Sequence, residues 1–134
     1  MLTLPNVTTD RAPKRATILV VDPEPLYRWF VAESLGACEM AVMSAASIED
    51  AAAYLRDSGD VDLLIVDGDL FLASGQARCM LRERAGTIPF LVLDSDGDLT
   101  RQGFGNVTVA AKPIDSAALD RLVSSQLGRD VSPA

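Results

Sequence analysis

The sequence predicts an α/β protein built on a parallel sheet, and two observations lead to this fold class. Short apolar runs end in an acid or a lysine, at Ile18–Asp22, Leu63–Asp67, Phe90–Asp94 and Val107–Lys112. Uninterrupted aliphatic runs of this length are typical of strands buried on both faces of a parallel sheet. Stretches with helical spacing separate the runs, and strands that alternate with helices form an open α/β sandwich.

Each element has its own local signals. Pro23 and Pro25 mark the start of the first helix and Gly36 its end, and Ser47 is a helix cap. Gly68 and Gly75 indicate a loop after the third strand. The predicted strands lie at Thr17–Val21, Met40–Ser44, Leu63–Asp67, Phe90–Asp94 and Val107–Ala111, and the helices at about Glu24–Leu35, Ile48–Ser58, Gln76–Arg84 and Ser116–Leu127.

The chain of 134 residues has the size of one domain. We assign this domain to residues 17–127, preceded by a flexible arm at 1–16 and followed by a frayed tail at 128–134. The stretch 95–106 contains three glycines. A helix between strands four and five should therefore be short.

Composition excludes several classes of function. A net charge of −7 argues against direct binding to nucleic acid, which favours a basic face. The absence of histidine rules out histidine triads and histidine metal clusters. The two cysteines lack the spacing of a metal site. No apolar run is long enough to span a membrane, and no signal peptide is apparent, so we expect a cytoplasmic protein.

The ends of the strands indicate where the function lies. Ligands bind at the carboxyl ends of the strands in open α/β sheets. Asp22, Asp67, Asp94 and Lys112 should therefore meet at one edge, with three carboxylates around one ammonium. Such a cluster suits a divalent cation and a phosphoryl group.

These residues resemble the receiver domain of two-component response regulators over about Ala16–Leu127. The matching marks are Asp22 followed by Glu24-Pro25, Asp67 followed eight residues later by Gly75, and Lys112-Pro113. The resemblance implies a single-domain, flavodoxin-like sandwich with strand order 2-1-3-4-5. It also implies a signalling module rather than an enzyme.

The resemblance assigns roles to individual residues. It implies that Asp67 is phosphorylated by a histidine kinase and that Lys112 pairs with the acceptor carboxylate. It implies Mg²⁺ ligation by Asp22, Asp67 and the backbone carbonyl of Asp69. It also implies a homodimer face formed by the helix before strand five, strand five and the last helix.

Three departures from the family pattern change these expectations. Pro23 stands in place of a metal-binding acid, Asp94 in place of the hydroxyl that holds the phosphoryl group, and Val109 in place of the aromatic switch residue. We therefore expect weak Mg²⁺ binding and an atypical receiver whose phosphorylation at Asp67 is weak, altered or absent. Two alternatives remain for the changed residues. Asp94 pairs with Lys112, or either Asp94 or Glu24 replaces the metal ligand that Pro23 cannot supply.

An enzymatic alternative rests on Asp67-Gly68-Asp69, which is similar to the Asp-x-Asp motif of haloacid-dehalogenase-type phosphatases. Asp67 would then be the nucleophile and Asp69 the acid/base. That motif normally follows the first strand, whereas this one follows the third. We therefore favour the receiver interpretation.

Overall fold

The computed structural model describes residues 15–57, 60–73, 75–95 and 107–128. Its strands are β1 Thr17–Val21, β2 Ala41–Ala45, β3 Leu63–Asp67, β4 Phe90–Asp94 and β5 Val107–Ala111. Its helices are α1 Pro25–Gly36, α2 Ile48–Asp57, α3 Gly68–Ala73, α4 Gly75–Ala85 and α5 Ser116–Gln126. The strands agree with the predicted ones to within one residue, the usual uncertainty of element boundaries.

The five strands form one parallel sheet of order 2-1-3-4-5, which confirms the predicted fold class. β1 and β3 pair in the middle of the sheet, with Val20 opposite Ile65. The strands point the same way, so their carboxyl ends share one edge. We call this edge the rim and define it by Asp22, Asp67, Asp94 and Lys112.

An apolar layer covers each face of the sheet, which is why the strands alternate little in hydrophobicity. The first layer joins the sheet to α1 and α5 through Val31, Leu35, Leu119 and Val123. The second joins it to α2, α3 and α4 through Ile48, Ala51, Leu55, Phe71, Leu81 and Ala85. This arrangement fixes the strand ends from both sides and gives the rim a rigid base.

The segment after β3 differs from the prediction, because a helix, α3, replaces the expected loop. The side-chain oxygen Oδ2 of Asp67 accepts a hydrogen bond of 3.1 Å from the N–H of Leu70, which caps the first turn. Phe71 in this helix is fully buried. Capping and burial therefore outweigh the two glycines, Gly68 and Gly75, that indicated a loop.

Three of the sequence predictions concern residues that lie wholly or mostly outside the described ranges. The short helix expected within 95–106 lies outside the described residues apart from Ser95, as do most of the arm and of the tail. Ala16, assigned to the arm, is buried and pairs its carbonyl with the N–H of Ala41. In the described part of the chain, no helix has the length and hydrophobicity to cross a bilayer.

Candidate functional site

Strand alternation decides which rim side chains can meet. Successive residues of a strand point to opposite faces of the sheet. Val20 and Ile65 pack in the layer of α1 and α5, so Asp22 and Asp67, two residues further on, continue on that face. Ala110 packs in the same layer and is followed two residues later by Lys112. Alternation thus brings two carboxylates and the ammonium together.

Lys112 bridges the two aspartates. Its Nζ lies 2.6 Å from Oδ1 of Asp67 and 2.9 Å from Oδ2 of Asp22. The side chain of Lys112 is only 13% exposed and those of Asp22 and Asp67 3% and 9%. Contacts this short between poorly hydrated charges are charge-assisted hydrogen bonds and hold all three groups in place.

The first turn of α1 fixes Asp22 from the other side. Oδ1 of Asp22 accepts a hydrogen bond of 2.9 Å from the N–H of Glu24. The guanidinium of Arg28 donates to the backbone carbonyl of Asp22 at 2.6 Å. Pro23 is exposed between these contacts. Asp22 therefore has both carboxylate oxygens and its carbonyl engaged.

Asp67 has two structural roles. Its Oδ1 binds the ammonium of Lys112, and its Oδ2 caps α3 through the N–H of Leu70. Both oxygens of the predicted phosphoacceptor are thus held by donors. A group that reacts with Asp67 must share an oxygen with one of these donors or displace it.

Asp94 lies on the opposite face of the sheet. It follows Phe90 and Val92 at two-residue steps, and these pack in the layer of α2, α3 and α4. Its carboxylate rests against Gly68, where a Cβ atom would lie 2.8 Å from Oδ1 of Asp94. Its backbone carbonyl accepts a hydrogen bond of 3.1 Å from the N–H of Lys112. Asp94 is 2% exposed.

Tyr27 completes the surroundings of the ammonium. The Nζ of Lys112 lies 4.2 Å from the centre of the Tyr27 ring. Burial acts to lower the pKa of Lys112, but its hydrogen bonds to Asp67 and Asp22 outweigh burial and raise the pKa above its ordinary value. Burial also raises the pKa of Tyr27, while Lys112 acts in the opposite direction. Lys112 therefore carries its full charge at neutral pH.

As arranged, these residues do not fit the Mg²⁺ ion that the resemblance implies. The carboxylate oxygens of Asp22 and Asp67 already have donors, and the ammonium lies between them. Asp69 is exposed in the first turn of α3. Across the described ranges, no three acidic, cysteine or histidine side chains form a group that could hold a metal.

Only some of the predicted site residues lie together in the structure. It brings Asp22, Asp67 and Lys112 into contact, sets Asp94 on the other face and leaves Asp69 exposed. Sequence reasoning missed Tyr27, Arg28 and Gly68. The only available signal for Tyr27 was its place in the first helical turn after Asp22. Gly68 was interpreted as a loop signal rather than as space for Asp94.

Comparison with known proteins supports the fold. No protein-family model matches the sequence, and no curated protein matches it significantly. Among solved structures, a response regulator receiver protein from Pseudomonas putida is similar, with 24% identity over 85% of this chain and 99% of that chain, at a TM-score of 0.73. A receiver protein from Sinorhizobium medicae WSM419 has 23% identity over 86% and 96%, also at a TM-score of 0.73.

A response regulator from Thermotoga maritima gives the same picture, with 23% identity over 86% of this chain and 99% of that chain, at a TM-score of 0.73. The chain therefore has the fold of response regulator receiver domains.

Proposed function

We propose that this chain is an atypical receiver module of two-component signal transduction, which acts through contacts with other proteins rather than as an enzyme. The observation that carries the proposal is the Asp22–Lys112–Asp67 cluster at the rim of a receiver fold. Asp67 occupies the phosphoacceptor position, and Lys112 pairs with it. The fold supplies the framework, and these three side chains supply the chemistry.

Phosphorylation at Asp67 should be weak, altered or absent. Both oxygens of Asp67 are held by donors. Asp94 stands at the position where the family pattern has the hydroxyl that holds the phosphoryl group, and its carboxylate lies against Gly68 on the opposite face of the sheet. An incoming phosphoryl group therefore lacks the hydroxyl that a receiver normally offers.

Mg²⁺ should bind weakly. Asp22, Asp67 and Asp69 are the ligands that the resemblance implies, but as arranged they do not form a metal site, Pro23 contributes no side-chain oxygen, and Mg²⁺ requires near-octahedral oxygen coordination. A bound ion must also compete with Lys112 for the two carboxylates.

The proposed partners are a histidine kinase or another signalling protein in the cytoplasm. A second copy could dock on the face of β5 and α5. Direct binding to nucleic acid is not expected at a net charge of −7.

Incubation with acetyl phosphate and Mg²⁺, followed by mass spectrometry of the intact protein, tests this proposal. We expect little phosphorylated wild type and more phosphorylated Asp94→Thr. Asp67→Asn is the control, because asparagine can still cap α3 but cannot accept a phosphoryl group. Complete phosphorylation of the wild type at Asp67 would show an ordinary receiver.

A further inference from the structure

Among the described residues, the ammonium of Lys112 contacts two acids and one aromatic ring. The aromatic contact is with the face of the Tyr27 ring, 4.2 Å from Nζ. A cation over an aromatic face is attracted by the ring, and more strongly where water is excluded, as it is around this 13% exposed lysine. Tyr27 therefore acts on the position of the charge as well as on packing.

The structure uses the ring of Tyr27 rather than its hydroxyl. The hydroxyl is buried and makes no hydrogen bond of ordinary geometry with any described residue. The nearby backbone of Ile114 acts only to lower the pKa of Tyr27, against the effect of burial. The ring meets Phe30 edge to face at 5.5 Å between centres. Phenylalanine should consequently replace tyrosine here without moving the ammonium.

We propose that Tyr27 is a positioning residue, which holds the Lys112 ammonium between Asp22 and Asp67, where it competes with a divalent cation for the two carboxylates. The ring blocks one side of the ammonium, and the two carboxylates take its hydrogen bonds. This inference deepens the proposed function and rests on it.

A titration with Mn²⁺ tests the inference without any phosphorylation step. The measurement is paramagnetic broadening of the Asp22 and Asp67 amide signals, alongside calorimetry, for the wild type, Tyr27→Phe, Tyr27→Leu and Lys112→Met. We expect Tyr27→Phe to match the wild type. Tyr27→Leu should bind Mn²⁺ roughly three- to thirty-fold more tightly, as the size of a cation–π contact implies, and Lys112→Met should show a larger gain.

A double variant separates positioning from packing. If Tyr27 acts through the ammonium, adding Tyr27→Leu to Lys112→Met should change Mn²⁺ affinity no further. An equal effect of Tyr27→Leu in both backgrounds would overturn the positioning role, as would Tyr27→Leu binding like the wild type.

The Lys112→Met titration tests the role of the ammonium itself. If Lys112→Met bound Mn²⁺ no better than the wild type, the ammonium would not compete with a divalent cation for the two carboxylates. An ordinary result with acetyl phosphate would overturn the proposed function, whereas these titrations would still report on Tyr27.

Discussion

At the scale of single residues, Gly68 determines where the Asp94 carboxylate can lie. A Cβ atom at position 68 would meet Oδ1 of Asp94 at 2.8 Å and the Cα of Asp94 at 3.0 Å. The second contact involves backbone, which cannot move as freely as a side chain. The space at Gly68 is therefore part of the site.

Substitution of Gly68 by alanine should accordingly destabilise the protein by about 1–3 kcal/mol, the usual cost of overpacking. Urea unfolding measures this free energy. Gly36→Ala is the matched control, because nothing lies within 4 Å of the Cβ that it would add. Equal stability of the two variants would mean that Asp94 does not depend on this space.

Lys112 contributes stability through its charge. Lys112→Met leaves two buried carboxylates without their ammonium and should cost about 3–5 kcal/mol at neutral pH. Arg56→Met is the control, since Arg56 and Asp57 form a pair with side chains 59% and 70% exposed, and its cost should stay below about 1 kcal/mol. A similar loss in both variants would contradict the buried bridge.

The pH dependence of this loss has a defined sign. The pKa of Lys112 is raised in the folded protein. The stability that the charged lysine contributes is therefore fully present below the pKa of an unfolded lysine, about 10.4, and is lost as pH rises through the higher pKa of the folded protein. The free-energy gap between wild type and Lys112→Met should therefore stay constant from about pH 7 to pH 9 and narrow in more alkaline solution. Unfolding curves at several pH values measure the gap, and a gap that widened above pH 10 would contradict the sign.

At the scale of elements, alternation along each strand explains why part of the site was predictable. The acids at the ends of β1, β3 and β4 were recognisable because each closes an apolar run. Their faces follow from the two-residue period, which places Asp22 and Asp67 with Lys112 and places Asp94 beside Gly68. The sequence analysis expected all three acids to meet the ammonium because all three end strands at one edge. That expectation did not take the two-residue period into account, which turns Asp94 to the other face.

Helix caps also belong to this scale, and α5 offers a clear test. Oδ1 of Asp115 accepts a hydrogen bond of 2.7 Å from the N–H of Ala118 at the start of α5. Asp115→Ala should lower the free energy of unfolding by about 1 kcal/mol, the typical value of an N-cap. Asp115→Asn should keep most of it, because asparagine caps nearly as well. Thermal unfolding compares the two, and equal losses would contradict a capping role.

At the scale of the whole molecule, the fold was predictable because strand and helix signals repeat along nearly the whole chain. The helix after β3 was not predictable in this way, because it depends on the hydrogen bond that Asp67 accepts at its start and on the burial of Phe71 in the folded protein. Tyr27 was missed for the same reason, because α1 and the end of β5 are distant in sequence and meet only in the folded protein.

The central claim is that a rim whose Asp22 and Asp67 carboxylates are bridged by Lys112 does not run the usual receiver switch. Val109, half-buried in β5, offers no ring to reposition, and a ligand shifts a conformational equilibrium only through differential affinity for the two states. The most direct test is to add beryllofluoride, a phosphoryl mimic, with Mg²⁺ and to record NMR shifts in β5 and α5 for the wild type and Asp94→Thr. The account predicts little change in the wild type and partial recovery of binding in Asp94→Thr. Large wild-type shifts in β5 and α5 would contradict it.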